Sequence, residues 1–175
     1  MSGRVTGEAV LVTGAGQGQG SAEARLLAGE GATVIGVGPA DVPDLPGIDY
    51  RRLDVTDGEG WAALADVLGK RHGRVDGLVA HAGLTGRARL GELDPADLAR
   101  VQGRHVGGAL RAVQAVLPLV PAGGSIAVVG SAAALTGHHP VAYTASKWAP
   151  GRFTKAACLE LGARDPRRRR REVDQ

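Results

Sequence analysis

Ala9-Val-Leu-Val-Thr-Gly-Ala-Gly-Gln-Gly-Gln-Gly-Ser21 decides the reading of this chain: four apolar residues close on Thr13, a glycine-rich turn follows at once, and Ser21 opens a stretch of helical composition that reaches Gly29. A short apolar run bounded by turn residues reads as a buried strand. Glycines let the backbone turn tightly and approach a pyrophosphate closely. The free N–H groups and positive end of the following helix attract its charge. With 28 glycines among 175 residues, the glycine pattern alone says little; its place between strand and helix near the N-terminus gives it weight. The turn is read as a phosphate cradle, with a merely flexible loop as the plainer alternative.

Outward from this turn, β-rich runs recur at 9–13, 33–37, 50–53, 75–80 and 125–129, with stretches of helical spacing between most of them. Such alternation predicts parallel βαβ units. Trp61, Leu64, Ala65 and Leu68 have the spacing of one buried helical face, and Leu98, Val101, His105, Ala109, Ala112 and Val116 form such a stripe along a longer helix. Pro118 is expected to end that helix. The Pro/Gly-rich segment 38–47 reads as a loop between the second and third strands. Nothing before about Asp165 suggests a domain boundary, so residues 1–166 are taken as one dinucleotide-binding domain and 167–175 as an Arg-rich tail.

Bulk composition agrees with one globular α/β domain, 43% hydrophobic and 22% charged. Trp61, Trp148, Tyr50, Tyr143 and Phe153 are the only aromatic residues, so the core must be built from Val, Leu, Ile and Ala, as suits a helix-covered parallel sheet. The tail sets five Arg against Glu172 and Asp174, which accounts for the whole net charge of +3 and leaves residues 1–166 neutral. A terminal Arg run reads as a solvated tail rather than a nucleic-acid or membrane anchor. The single Cys158 is expected to be a small buried residue in a reducing compartment, and no apolar run approaches a membrane span. A cytoplasmic protein with no metal site is expected.

Further along, Tyr143-Thr-Ala-Ser-Lys147 sets a phenol and an ammonium four residues apart, on one face if the segment is helical. A nearby Lys⁺ favours phenolate and lowers a Tyr pKa, as a general acid/base for alcohol and carbonyl chemistry requires. Ser131, at the end of the preceding strand, is placed to donate to a substrate oxygen. Each also has a bland reading: a surface Tyr, a solvated Lys, a Ser capping a turn.

Taken together, these features resemble the short-chain dehydrogenase/reductase family in order and spacing over residues 5–163. Thr13-Gly14, Gly18 and Gly20, with Gln17 among them, are similar to the family's TGxxxGxG cofactor turn. Asp54-Val55 resembles its adenine-contacting Asp, Ala82-Gly83 the end of its NNAG motif, and Ser131, Tyr143 and Lys147 its catalytic Ser and YxxxK. The resemblance implies a Rossmann-type doubly wound parallel sheet of about five strands in the order 3-2-1-4-5. It further implies that Tyr143 is the proton donor or acceptor, that Lys147 also holds the nicotinamide ribose, and that Ser131 steadies the substrate carbonyl. The activity implied is hydride transfer between NAD or NADP and a secondary alcohol or ketone. A homodimer through the long helix and the catalytic helix is the implied assembly.

Several departures accompany the resemblance. His105 stands where the family has a catalytic Asn, and is read either as an altered proton relay or as a partly buried structural residue. The NNAG motif reads Ala80-His81-Ala82-Gly83, and Pro150-Gly151 falls inside the catalytic helix, where a kink is expected. The family's last two strands are lacking, which predicts an exposed apolar edge at the fifth strand and raises truncation or a shifted frame as the origin of the Arg-rich ending. Gly38 and Gln17 replace the usual charged markers of cofactor choice, so NAD is favoured over NADP, with Asp41 as a ribose partner. His138 and His139 are read as loop residues near the substrate side. The rival readings are a non-catalytic or truncated relative that only binds cofactor or partners, and an Arg tail acting on phosphate-rich partners.

Overall fold

Five short parallel strands form one sheet in the computed structural model, which describes residues 3–41, 44–138 and 140–162. The strands are β1 (Ala9–Thr13), β2 (Thr33–Gly38), β3 (Asp49–Arg52), β4 (Gly77–Ala80) and β5 (Ser125–Val128), in the order β3-β2-β1-β4-β5. The α-helices are α1 (Gly18–Gly29), α2 (Gly58–His72), α3 (Pro95–Gln102), α4 (Gly108–Val116) and α5 (Val141–Gly162). Chain order runs outward from β1 to β3 and then restarts with β4 on the other side. The sheet therefore has a topological switch point between β1 and β4, where ligands of open α/β sheets bind.

Alternation along β1 divides the core between the two faces of the sheet. Leu11 joins Ile35 and Leu78 in packing against Trp61, Leu64 and Leu68 of α2 and Ala112 and Val116 of α4. Val10 and Val12 project to the opposite face, with Val34 and with Ala24 of α1. A period-two strand buried on both faces must be apolar throughout, which is why β1 shows no polar alternation. The stripe expected from Leu98 to Val116 is not one regular helix: α3 and α4 are joined by a π-helical turn, Gly103–Gly107. Val101, His105, Ala109, Ala112 and Val116 of that stripe are all buried. The course ends as expected, with Pro118 in a 3₁₀ turn that follows α4 directly.

The expected segments and the observed ones differ in particular places. The first helix begins at Gly18, not Ser21: Gln17, whose backbone is extended, holds the N-cap position and makes no side-chain cap bond. Val75 is buried but precedes β4; its N–H goes to the carbonyl of Leu119 (3.0 Å) rather than into the ladder. Cys158 is exposed, not buried, since its face of the C-terminal half of α5 has no described element packed over it. Pro150 sits inside α5, which runs on through it to Gly162. At the open edge of the sheet, β5 pairs only with β4 among the described strands and leaves Ala127 exposed. The Arg run at 167–171 and His139 lie outside the described residues.

Helix α2 is firmly punctuated. Asp57 caps its N-terminus by accepting from the N–H groups of Glu59 (3.0 Å) and Gly60 (3.1 Å), and Gly73 ends it in a left-handed conformation. Asp57→Ala is expected to destabilise the fold by about 1 kcal/mol. Chemical denaturation reads this as a lower midpoint at unchanged slope, and an unchanged midpoint would deny the cap its role.

Candidate active site

A cleft of about 1030 Å³ opens at the C-terminal ends of the strands, across the β1/β4 switch point. Its lining comes from the turn after β1 and the start of α1 (Gly14, Gly16 to Gln19), from Gly38 at the end of β2 with Pro39 and Ala40 after it, and from Val55. Residues 81–85 and Arg87 after β4, Val129 and Gly130 after β5, Arg104 and His105 of the π-turn, and Tyr143 and Lys147 of α5 complete it. The tertiary fold thus gathers the expected Gly14, Gln17, Gly18, Val55, Ala82, Gly83, His105, Tyr143 and Lys147 around one space.

The glycine turn owes its shape to close backbone approach. Gly14 has φ +74°, and a Cβ there would lie 3.0 Å from the Cα of Ala82. Gly20 does not line the cleft; it lets α1 seat against the turn, since a Cβ on it would fall 2.3 Å from the carbonyl oxygen of Gly14. Thr13 is also not in the lining. It is 2% exposed, and its hydroxyl accepts from the N–H groups of His81 and Ala82 (both 3.0 Å), tying the end of β1 to the loop after β4.

Helices α2 and α3 have aspartate caps on their first N–H groups, whereas α1 has no side-chain cap and no acidic residue in its first turn. Uncapped N–H groups together with the positive end of the helix dipole form an anion site. This end faces the cleft through Gln17, Gly18 and Gln19. The space around the Cβ position of Gly18 is open. A dinucleotide diphosphate fits such a cradle by charge and by room.

Asp54 is placed differently from the expectation. It is not among the lining residues; one oxygen accepts from the Thr56 N–H (2.9 Å) and hydroxyl (2.8 Å), the other from Arg104 (2.6 Å). Burial would raise its carboxyl, but these partners outweigh burial and hold it below the usual carboxylate range. Asp41 pairs with Arg52 (2.7 Å) and is likewise absent from the lining. The Tyr50 phenol explains the lack of a side chain at position 38: a Cβ on Gly38 would lie 2.7 Å from its oxygen, and one on Gly16 would lie 3.0 Å from it.

On α5 the phenol and the ammonium share one face, as their four-residue spacing implies. Lys147 is 7% exposed, its Nζ lies 5.9 Å from the centre of the Tyr143 ring, and it donates to the carbonyl of Val129 (3.1 Å). Burial lowers the pKa of its ammonium. Ser131 does not reach the lining; its hydroxyl accepts from the Ala133 N–H (3.2 Å) and caps a 3₁₀ turn. His138 is exposed and away from the cleft, its carbonyl accepting from the Thr144 hydroxyl.

His105 is the most constrained group in the cleft. It is 3% exposed, its Nε2 accepts from the Leu84 N–H (2.9 Å), and its Nδ1 lies 2.7 Å from the Ser146 hydroxyl. Burial first, then the charges of Lys147 and Arg104, lower its pKa to about 4. An unfolded chain takes up this proton below about pH 6.5, whereas the folded chain resists until about pH 4. Stability is therefore expected to fall as pH drops through that window, by on the order of 2–3 kcal/mol. Melting of the parent chain and of His105→Asn across pH 4–7 checks this, and identical pH slopes would contradict it.

Four polar groups that sequence reading left out belong to the site. Arg104 engages Asp54; Glu23 of α1 contacts His81 Nδ1 (3.0 Å); Ser146 bridges to His105; and Tyr50 fills the floor beneath Gly38. Only Ser146 carried a local signal, standing three residues after Tyr143 and next to Lys147.

Comparison with known proteins follows the same lines. A family profile described as short chain dehydrogenase matches residues 8–165. A trans-4-hydroxycyclohexanecarboxylate dehydrogenase of Sinomonas cyclohexanicum is 32% identical over 186 positions, covering 93% of this chain and 70% of that protein. A 3-alpha-(or 20-beta)-hydroxysteroid dehydrogenase of Mycobacterium tuberculosis is 32% identical over 175 positions, covering 93% and 66%. The ligand-free aldohexose dehydrogenase of Thermoplasma acidophilum superposes with a TM-score of 0.85 at 26% identity, over 91% of this chain and 64% of that one. The chain spans about two thirds of the length of these relatives.

Proposed function

Because the chain belongs to the short-chain dehydrogenase/reductase family, we propose that it moves hydride between a nicotinamide dinucleotide and a secondary alcohol or ketone, with Tyr143 as the proton-transferring group. One observation carries this reading: Tyr143 and Lys147 face the same cleft as the uncapped N-terminus of α1. When bound, the nicotinamide supplies a carbon that gives or takes hydride. The backbone of Gly14 and of Gln17 to Gln19 holds the diphosphate. The Tyr143 hydroxyl gives its proton to a carbonyl oxygen in reduction, or accepts one from an alcohol in oxidation. The buried Lys147 ammonium, fixed by Val129, stabilises the oxyanion formed on Tyr143 and would hold a ribose hydroxyl of the bound nucleotide. Leu84, Thr85, Arg87 and Gly130 wall the substrate side.

We favour NAD over NADP, because no cation stands among Gly38, Pro39 and Ala40, which form the lining at that end of the cleft. Thermal unfolding with millimolar NAD or NADP tests this together with the cradle. A nucleotide present at about 100 times its Kd adds about 2.7 kcal/mol, which corresponds to a rise of about 5–10 °C. No shift with either nucleotide would overturn the reading, and a larger shift with NADP would overturn the preference. One observation favours a second reading, a nucleotide-binding module without turnover: the Ser131 hydroxyl caps a turn instead of lining the cleft. That reading requires the same thermal shift with no oxidation of any alcohol in a panel of cyclic and acyclic secondary alcohols.

A further inference from the structure

His105 lies on the π-turn between α3 and α4, touching two other elements at once. A backbone amide can only donate, so the Leu84 N–H at 2.9 Å requires a lone pair on Nε2, and the ring proton must sit on Nδ1. From Nδ1 the proton points to the Ser146 hydroxyl at 2.7 Å, and Ser146 in turn donates to the carbonyl of Tyr143 at 2.7 Å. Every bond in this chain has one direction, and no nitrogen of the ring is left over. The approach of the loop after β4 depends on Gly83, where a Cβ would fall 2.9 Å from Nε2. The imidazole also meets the Tyr143 ring edge-on, with centroids 5.6 Å apart and planes at 86°.

We propose that His105 is a positioning residue: it joins the loop after β4, the π-turn and the first turn of α5 through Leu84, Ser146 and the Tyr143 carbonyl, fixes the Tyr143 ring beside Lys147, and relays no proton. A relay would need a nitrogen that loses and regains a proton, and protonating Nε2 breaks the bond to Leu84. The charged groups facing the ring, Lys147 on α5 and Arg104 on its own turn, both oppose a second proton on it, in the same direction as burial. The role in turnover rests on Tyr143 being the acid/base group; the direction of the bonds does not.

Side-chain nitrogen NMR of the histidine-labelled full chain, with the His105 signal assigned by its loss in His105→Asn, reads the bond directions without any assay of activity. The expected result is a neutral Nδ1–H ring from pH 8 down to pH 5.5. A ring that titrates between pH 6 and 8, or one protonated on Nε2, overturns the proposal. Kinetics supply the second arm. His105→Phe is expected to lower kcat by about 10- to 100-fold at unchanged KM for the nucleotide, through misplacement of Tyr143. His105→Asn, which keeps a donor and an acceptor, should recover most of that loss, and Ser146→Ala should reproduce it in part. An unchanged kcat in His105→Phe overturns the positioning role. A chain with the Nδ1–H ring but no turnover and no nucleotide shift would instead defeat the proposed function and leave the bonded network standing.

Discussion

Tyr143→Phe is expected to lower kcat by about 10²- to 10⁴-fold while the nucleotide-induced rise in melting temperature persists. The substitution removes one oxygen and keeps the ring that meets His105 edge-on and lies 5.9 Å from Lys147, so packing and the neighbouring bonds have no reason to change. Loss of turnover with binding intact separates proton transfer from cofactor binding. Turnover within threefold of the parent would remove Tyr143 from the chemistry. Steady-state oxidation of a responsive alcohol, run beside thermal unfolding with nucleotide, reads both quantities on one preparation.

Gly20→Ala should have a large structural effect for a single methyl. Its Cβ would lie 2.3 Å from the carbonyl oxygen of Gly14 and 2.8 Å from that carbonyl carbon, and backbone atoms cannot swing aside as a side-chain end can. Helix α1 must then move off the turn, which takes its free N–H groups out of register with the cleft. A loss of about 1–3 kcal/mol in stability is expected, together with loss of the nucleotide-induced shift. Gly69→Ala supplies the contrast. It lies inside α2, where the added methyl would make ordinary contact with Leu119 at 3.6 Å. That change should stabilise the chain by about 0.5–1 kcal/mol and leave nucleotide binding alone. If Gly20→Ala binds and melts like the parent, the seating of α1 on Gly14 is not what shapes the cradle.

The two substitutions act on different kinds of information. The glycine turn was legible because strand, turn and helix follow one another within about twenty residues, each with its own composition. The Tyr143 and Lys147 pair was legible because a four-residue spacing on a helix is a fixed geometry. Asp54, by contrast, was read as a cofactor contact, yet the structure engages both its oxygens with Thr56 and Arg104. Cys158 was read as buried because its segment looks helical and a lone Cys is commonly a small buried residue, while burial depends on which neighbour covers that face.

By itself the sequence determined the five strands, the two-faced packing around them, the glycine turn between β1 and α1 and the phenol–ammonium pair. These follow from periodicity and from steric rules that act within a few residues, so the chain states them locally. Only the tertiary structure decided that Thr13 ties the end of β1 to the loop after β4, that Tyr50 fills the space at Gly38, and that Ser131 caps a turn. Only there do His105 and Ser146, Asp54 and Arg104, and His81 and Glu23 meet, across separations of 41, 50 and 58 residues. A hydrogen bond depends on the positions of both partners to within a fraction of an ångström, and between residues so distant in the chain those positions are set by how helices seat on the sheet.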